Sequence, residues 1–107
     1  MSAPTAELRR HPRARASWRV AVEIQGGKAI TRETIDLSPY GVKVRLDEGI
    51  ALGTTARLRL QPPDRQPLIL ESTVWRADSD GPVFVFVNIS VDVLQRLKAL
   101  VDNHRGA

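Results

Sequence analysis

From Trp18 onward apolar residues return at every second position, and this period restricts most of the chain to strands with one buried face. Trp18, Val20, Val22 and Ile24 alternate with Arg19, Ala21 and Glu23. The same alternation recurs in Val42, Val44 and Leu46, in Ala56, Leu58 and Leu60, and in Leu68, Leu70 and Val74. A further strand reads from Ala29 to Ile35, and the unbroken apolar run Val83 to Val87 suits a strand covered on both sides. Turn formers separate these runs: Gly26-Gly27, the cluster from Asp36 to Gly41, Gly49 and Gly53, Pro62-Pro63-Asp64, and Asp80-Gly81-Pro82. The period then changes, because Val93, Leu94, Leu97, Leu100 and Val101 fall at helical spacing. Ser90 is placed to cap that helix, Asp92 suits its first turn, and Gly106 follows its end. About six short strands followed by one amphipathic helix predict a mainly β chain, a small antiparallel barrel with the C-terminal helix packed on it or plugging one end.

The chain's 107 residues fit one domain around one core. Residues 1–8 read as a loose tail, 9–17 as an arm, 18–89 as the barrel and 90–104 as the helix. The net charge of +4 is not spread over these parts. Arg9, Arg10, Arg13, Arg15 and Arg19 against Glu7 supply all of it, since residues 20–107 hold eleven basic and eleven acidic side chains. A barrel that bound nucleic acid across its face would distribute its charge over several strands. Here the charge forms an arginine arm, which Pro12 keeps extended. The chain has no cysteine, no apolar run near the ~20 residues of a membrane span, and no apolar segment of a secretory signal at its start. Cytoplasmic localisation is the expectation.

The residues do not suggest catalysis. His11 lies in the arm and His104 near the C-terminus, neither with a second histidine at metal-ligand spacing. Asp36 and Ser38 have no histidine placed to complete a triad, and no Gly-rich loop leads into a helix. The arm points instead to phosphate, because a guanidinium fork matches phosphate oxygens two at a time and stays charged. Arg9 and Arg13, if extended, stand ~13 Å apart at ~3.3 Å per residue. Taken alone, such a run also serves as a solvated tail. Asp36, Ser38 and Gly41, taken alone, make an ordinary turn in which glycine supplies positive φ. Together the two segments offer more. A carboxylate and a hydroxyl accept from the N1–H and N2–H of a guanine edge, and arginine complements O6 and N7.

Arg9-Arg10-His11-Pro12-Arg13, followed by Asp36-Leu37-Ser38-Pro39-Tyr40-Gly41-Val42, resembles the PilZ domain family, whose signatures are RxxxR and (D/N)xSxxG. The resemblance extends from Arg9 to the C-terminal helix. It implies a six-stranded antiparallel barrel with a C-terminal helix and a flexible arm, and the bacterial second messenger cyclic di-GMP as ligand. By position, Arg9 and Arg13 would hold phosphate and guanine groups, with Arg10 as an added contact. Asp36 and Ser38 would bond a guanine edge, and Gly41 would let the backbone turn beneath it. Leu8, before RxxxR, goes with one bound ligand molecule rather than two. Trp75 has the parity opposite to Leu68, Leu70 and Val74, so its ring either stacks on a guanine or packs under the helix or arm. Phe84 departs from the family pattern, standing where a small residue is usual, and would narrow the site or shift the last strand.

These readings predict a cyclic di-GMP receptor without enzymatic activity, metal or cofactor, which signals by ordering its arm toward a downstream protein effector. The alternatives are a protein-interaction adaptor on the same scaffold that does not bind nucleotide, and an RNA- or DNA-binding barrel. The even charge balance of residues 20–107 makes the last the weakest.

Overall fold

The computed structural model describes residues 13–105. Seven strands and one helix follow in order: β1 (Ala14–Arg15), β2 (Arg19–Ile24), β3 (Ala29–Ser38), β4 (Gly41–Arg45), β5 (Thr55–Gln61), β6 (Leu68–Asp78), β7 (Gly81–Phe86) and α1 (Val91–Arg105). Strands β2 to β7 close an antiparallel barrel in the order β3-β2-β5-β6-β7-β4, with β4 returning to β3. The expected six-stranded barrel and C-terminal helix are therefore present, and β1 is an addition within the arm. No helix among the described residues is long and apolar enough to cross a membrane.

The alternating residues do what their period predicts. Val20, Val22, Leu58, Leu60, Leu70 and Val74 are fully buried inside the barrel, and the arginines between them face outward. Burial of each such side chain contributes about 1.5–3 kcal/mol. Leu97, Leu100 and Val101 of α1 join the same core. The helix starts where expected, with Ser90 Oγ accepting the Val93 N–H at 3.2 Å. Trp18 of the barrel mouth donates its indole N–H to His104 Nε2 at 3.2 Å, and Arg96 donates to the Asp64 carboxylate at 2.9 Å in the β5–β6 loop. These contacts hold α1 over the barrel end where β2 begins and β5 gives way to β6.

The structure corrects the sequence reading at three places. The first hairpin turns on Gln25-Gly26, both at positive φ, rather than on Gly26-Gly27. The second strand does not stop at Ile35 but runs to Ser38. Ile35 is a bulge: Thr34 pairs with Val44 and Asp36 with Lys43, leaving the residue between them unmatched. A bulge resets which face a strand presents, so Thr34 and Leu37 are both buried although they stand three apart. The turn formers between Asp36 and Gly41 are what made the segment read as a turn. The third correction concerns the arm. Ala14 and Arg15 lie opposite Leu37 and Asp36, so β1 continues the line of β2 along the edge of β3. Ala14 and Ala16 are buried, and this part of the arm is docked rather than free. The tail and residues 9–12 lie outside the described residues.

One hydroxyl bridges the break between β1 and β2. Thr34 Oγ1 accepts the Trp18 N–H at 2.9 Å and donates to the Ala16 carbonyl. Thr34 is 1% exposed, so water cannot replace it. Thr34→Val keeps the shape and leaves both backbone groups unpaired, which costs about 1–3 kcal/mol. Thermal melts should show a fall in Tm of roughly 5–15 °C, and Thr34→Ser, which keeps the hydroxyl, should recover most of it.

Candidate functional site

Register places a row of polar side chains across the outer face of the barrel. Arg15 lies opposite Asp36, Asp36 opposite Lys43, Lys43 opposite Val83, and Val83 opposite Arg76. Residues directly opposite in antiparallel strands share a face. Val83 is 3% exposed yet stands apart from the barrel core, as expected of an outward valine covered by its charged neighbours.

At one end of this row stands Arg13, just before β1. Its Nη1 lies 3.9 Å from Asp36 Oδ1, with the two side chains 30% and 21% exposed. Neither group makes a hydrogen bond to another described residue at that distance. The carboxylate and the guanidinium are near enough to attract. The pairing of β1 with β3 is what joins these two groups, which are 23 positions apart in the chain.

Further along the row the charges are engaged. Lys43 Nζ lies 3.0 Å from Asp78 and 3.2 Å from Asp80. Arg76 Nε lies 2.8 Å from Asp78, and its guanidinium sits 4.9 Å above the Trp75 ring, a cation–π contact. Trp75 occupies a second bulge, between Val74 and Arg76, and is half-buried. Its ring is thus on the row's side of the sheet, as its parity suggested, with Arg76 stacked on it.

Ser38 and Gly41 act at one remove. The Ser38 hydroxyl is buried, accepting the Gly41 N–H at 3.1 Å and the Tyr40 N–H at 3.2 Å and donating to the Gly41 carbonyl at 3.4 Å. It closes the turn that joins β3 to β4. Gly41 does not adopt positive φ, contrary to the sequence reading. A Cβ there would stand 2.5 Å from the Phe84 carbonyl oxygen, so glycine is needed for β4 to lie against β7. The Phe84 side chain is fully buried, pointing into the barrel between Val42 and Val74, and does not narrow the outer face.

Sequence reasoning did not single out Lys43, Arg76, Asp78 or Asp80. The signal for Lys43 was available. Counting outward from the turn, Ser38 meets Gly41, Leu37 meets Val42, and Asp36 meets Lys43. Arg76 was hidden by the bulge at Trp75, which shifts its face. Arg9 and Arg10, the other expected phosphate contacts, lie outside the described residues, as does Leu8. Among the described residues no group of three or more His, Cys, Asp or Glu is placed to hold a metal ion.

The engaged ions have shifted protonation. Burial pushes the Asp78 carboxyl up, but hydrogen bonds from Lys43 and Arg76 and their charges outweigh it and hold the group below the usual carboxylate range. Burial pushes Lys43 down, but its bonds to Asp78 and Asp80 win and raise it. A depressed carboxylate stabilises the fold above its unfolded pKa, and that contribution is lost as pH falls through the folded value. A raised lysine contributes below its unfolded pKa and is lost as pH rises through the folded one. Asp78→Asn should therefore melt below wild type at neutral pH. The gap in Tm should close as pH falls below about 4, the ordinary carboxylate range.

The chain matches the PilZ domain over residues 7–103. Solved structures share its fold. The Bacillus subtilis inhibitor of motility (MotI/DgrA) aligns with a TM-score of 0.78 at 19% identity, over 90% of this chain and 50% of that one. The chain thus spans half the length of that protein. The PilZ domain of CeSA from a cellulose-synthesizing bacterium aligns with a TM-score of 0.68 at 24% identity, over 85% and 95% of the two chains. The PilZ domain of YcgR from Escherichia coli, solved with c-di-GMP, aligns with a TM-score of 0.74 at 13% identity, over 91% of each. No curated protein matches the chain.

Proposed function

The chain belongs to the PilZ domain family, and from that premise we propose that it is a receptor for cyclic di-GMP that holds the dinucleotide on the outer barrel face and reports it to a protein partner. The observation that carries this reading is the approach of Arg13 to Asp36, 3.9 Å apart with neither group hydrogen-bonded to another described residue. A guanine edge offers what this pair lacks: N1–H and N2–H donors for the carboxylate, and O6 and N7 acceptors for the guanidinium. Arg9 and Arg10 precede Arg13 and would extend the grip to the phosphates. Ser38 and Gly41 serve by fixing the turn and the strand that position Asp36. Trp75 offers an aromatic surface on the same face. The fold shared with the YcgR domain, which was solved with c-di-GMP, supports the reading.

Signalling would pass through the root of the arm. β1 contacts α1 as well as β3, and Trp18 is bonded to His104 near the end of the helix. A ligand that draws Arg13 outward pulls on that contact and changes the surface a partner meets. Phe84 is the residue that keeps open an adaptor that does not bind nucleotide, and its side chain lies inside the barrel rather than on the outer face.

Charge-assisted bonds are worth about 1.5–3 kcal/mol each. Titration calorimetry with cyclic di-GMP should accordingly show Arg13→Ala and Asp36→Ala each losing roughly 10- to 100-fold in affinity, with thermal melts near wild type. Unchanged affinity in either variant overturns this site, and a flat titration of the wild type overturns the receptor reading.

A further inference from the structure

Beside the Asp36 row the outer face holds an open cleft of about 670 Å³, within the usual range for a small-molecule site. Its walls come from β2, β3, β4 and the β6–β7 turn. Glu33 lies at the centre, directly opposite Arg19 on β2 and directly opposite Arg45 on β4. All three side chains are exposed. Their neighbours have found partners: Arg32 bonds Glu48 at 2.7 Å, and Lys43 is held by Asp78 and Asp80. Glu33, Arg19 and Arg45 make no ion pair within 4 Å among the described residues, although register sets them side by side.

We propose that this cleft is a second guanine-reading subsite, which takes the other base of one cyclic dinucleotide. The inference rests on the proposed function and extends it to residues outside both family motifs. Three features of the cleft select the ligand. First, the arrangement repeats that of Asp36: a carboxylate on β3 flanked by a cation from each neighbouring strand. Glu33 has Arg19 and Arg45, and Asp36 has Arg15 and Lys43. Second, the lining holds as many acids (Glu33, Asp47 and Asp80) as arginines (Arg19, Arg32 and Arg45). Such a cleft is a poor seat for phosphate alone. It suits a flat group that presents donors to a carboxylate and acceptors to guanidinium forks, as guanine does. Third, the two sites are continuous. Asp80 lines the cleft and also lies 3.2 Å from Lys43, which faces Asp36. Glu33 and Asp36 face Arg45 and Lys43, which are two residues apart on β4, so with the bulge at Ile35 the two carboxylates stand about 7 Å apart along the strands. The two bases of one cyclic dinucleotide, tied through a single phosphodiester ring, are on that scale.

Cyclic di-GMP and the mixed cyclic GMP–AMP separate the possibilities, since adenine offers no N1–H or exocyclic N2–H to a carboxylate. The measurement is calorimetric affinity of the full chain for both ligands. Wild type should prefer cyclic di-GMP by about tenfold, the worth of one charge-assisted pair. Glu33→Gln should lose about tenfold for cyclic di-GMP and change little for cyclic GMP–AMP, so that the preference disappears. Arg45→Ala, a second exposed substitution, should move the same way. If wild type binds cyclic di-GMP and Glu33→Gln binds it equally well, or loses both ligands in equal proportion, the subsite is wrong and the receptor reading stands. If wild type binds neither ligand, both fall.

Discussion

A single hydroxyl ties the root of the arginine arm to the barrel. Thr34 Oγ1 spans the gap in the backbone ladder between β1 and β2, taking the N–H of Trp18 and giving its proton to the carbonyl of Ala16. Without that bridge two buried backbone groups would be unpaired at the break between β1 and β2. With it, β1 is held in register, Arg15 faces Asp36, and Arg13 is delivered to the same carboxylate. The bulge at Ile35 is the other half of this arrangement. It turns Asp36 outward while Thr34 and Leu37 both remain buried. Local backbone irregularity thus places the site, and the regular barrel supplies a rigid base for it.

The outer face next to this site carries nearly balanced charge in an ordered pattern. β3 presents Asp36 and Glu33, and the strands on either side present arginine or lysine opposite each of them. Where the acids Asp78 and Asp80 reach Lys43 and Arg76, the charges satisfy one another and brace the β4, β6 and β7 strands. Glu33, Arg19 and Arg45 make no such ion pair among the described residues. The same residue types are therefore paired into braces at one end of the face and left unpaired, among the described residues, at the other.

Much of the fold was legible in the sequence because the alternation is strong. Val20, Val22, Leu58, Leu60, Leu70 and Leu97 were read as core and are core. The helix and its Ser90 cap followed from a change of period. The reading failed where a bulge breaks the period at Ile35, and it missed Arg76 just beyond the bulge at Trp75, since one extra residue reverses every face beyond it. It also failed for β1, a two-residue strand whose alanines carry too little apolar signal to reveal burial. The motif residues were visible from their spacing. Their division of labour was not. That Ser38 closes the turn, and that Gly41 gives room to the Phe84 carbonyl, are properties of the hairpin and its neighbour strand.

The short length of β1 has a consequence for how such a domain can be used. Because β2 to β7 form a closed ring, each of those strands has neighbours on both sides, and β1 ends the sheet after only two residues. Unpaired strand edges are where foreign chains add on and where tandem units exchange segments. This sheet offers almost no such edge among its described residues. Among the described residues the barrel strands complete their hydrogen bonding with one another. A unit built this way can be joined to other domains without strand exchange, which suits a fold that also makes up half of a longer chain such as the Bacillus subtilis protein.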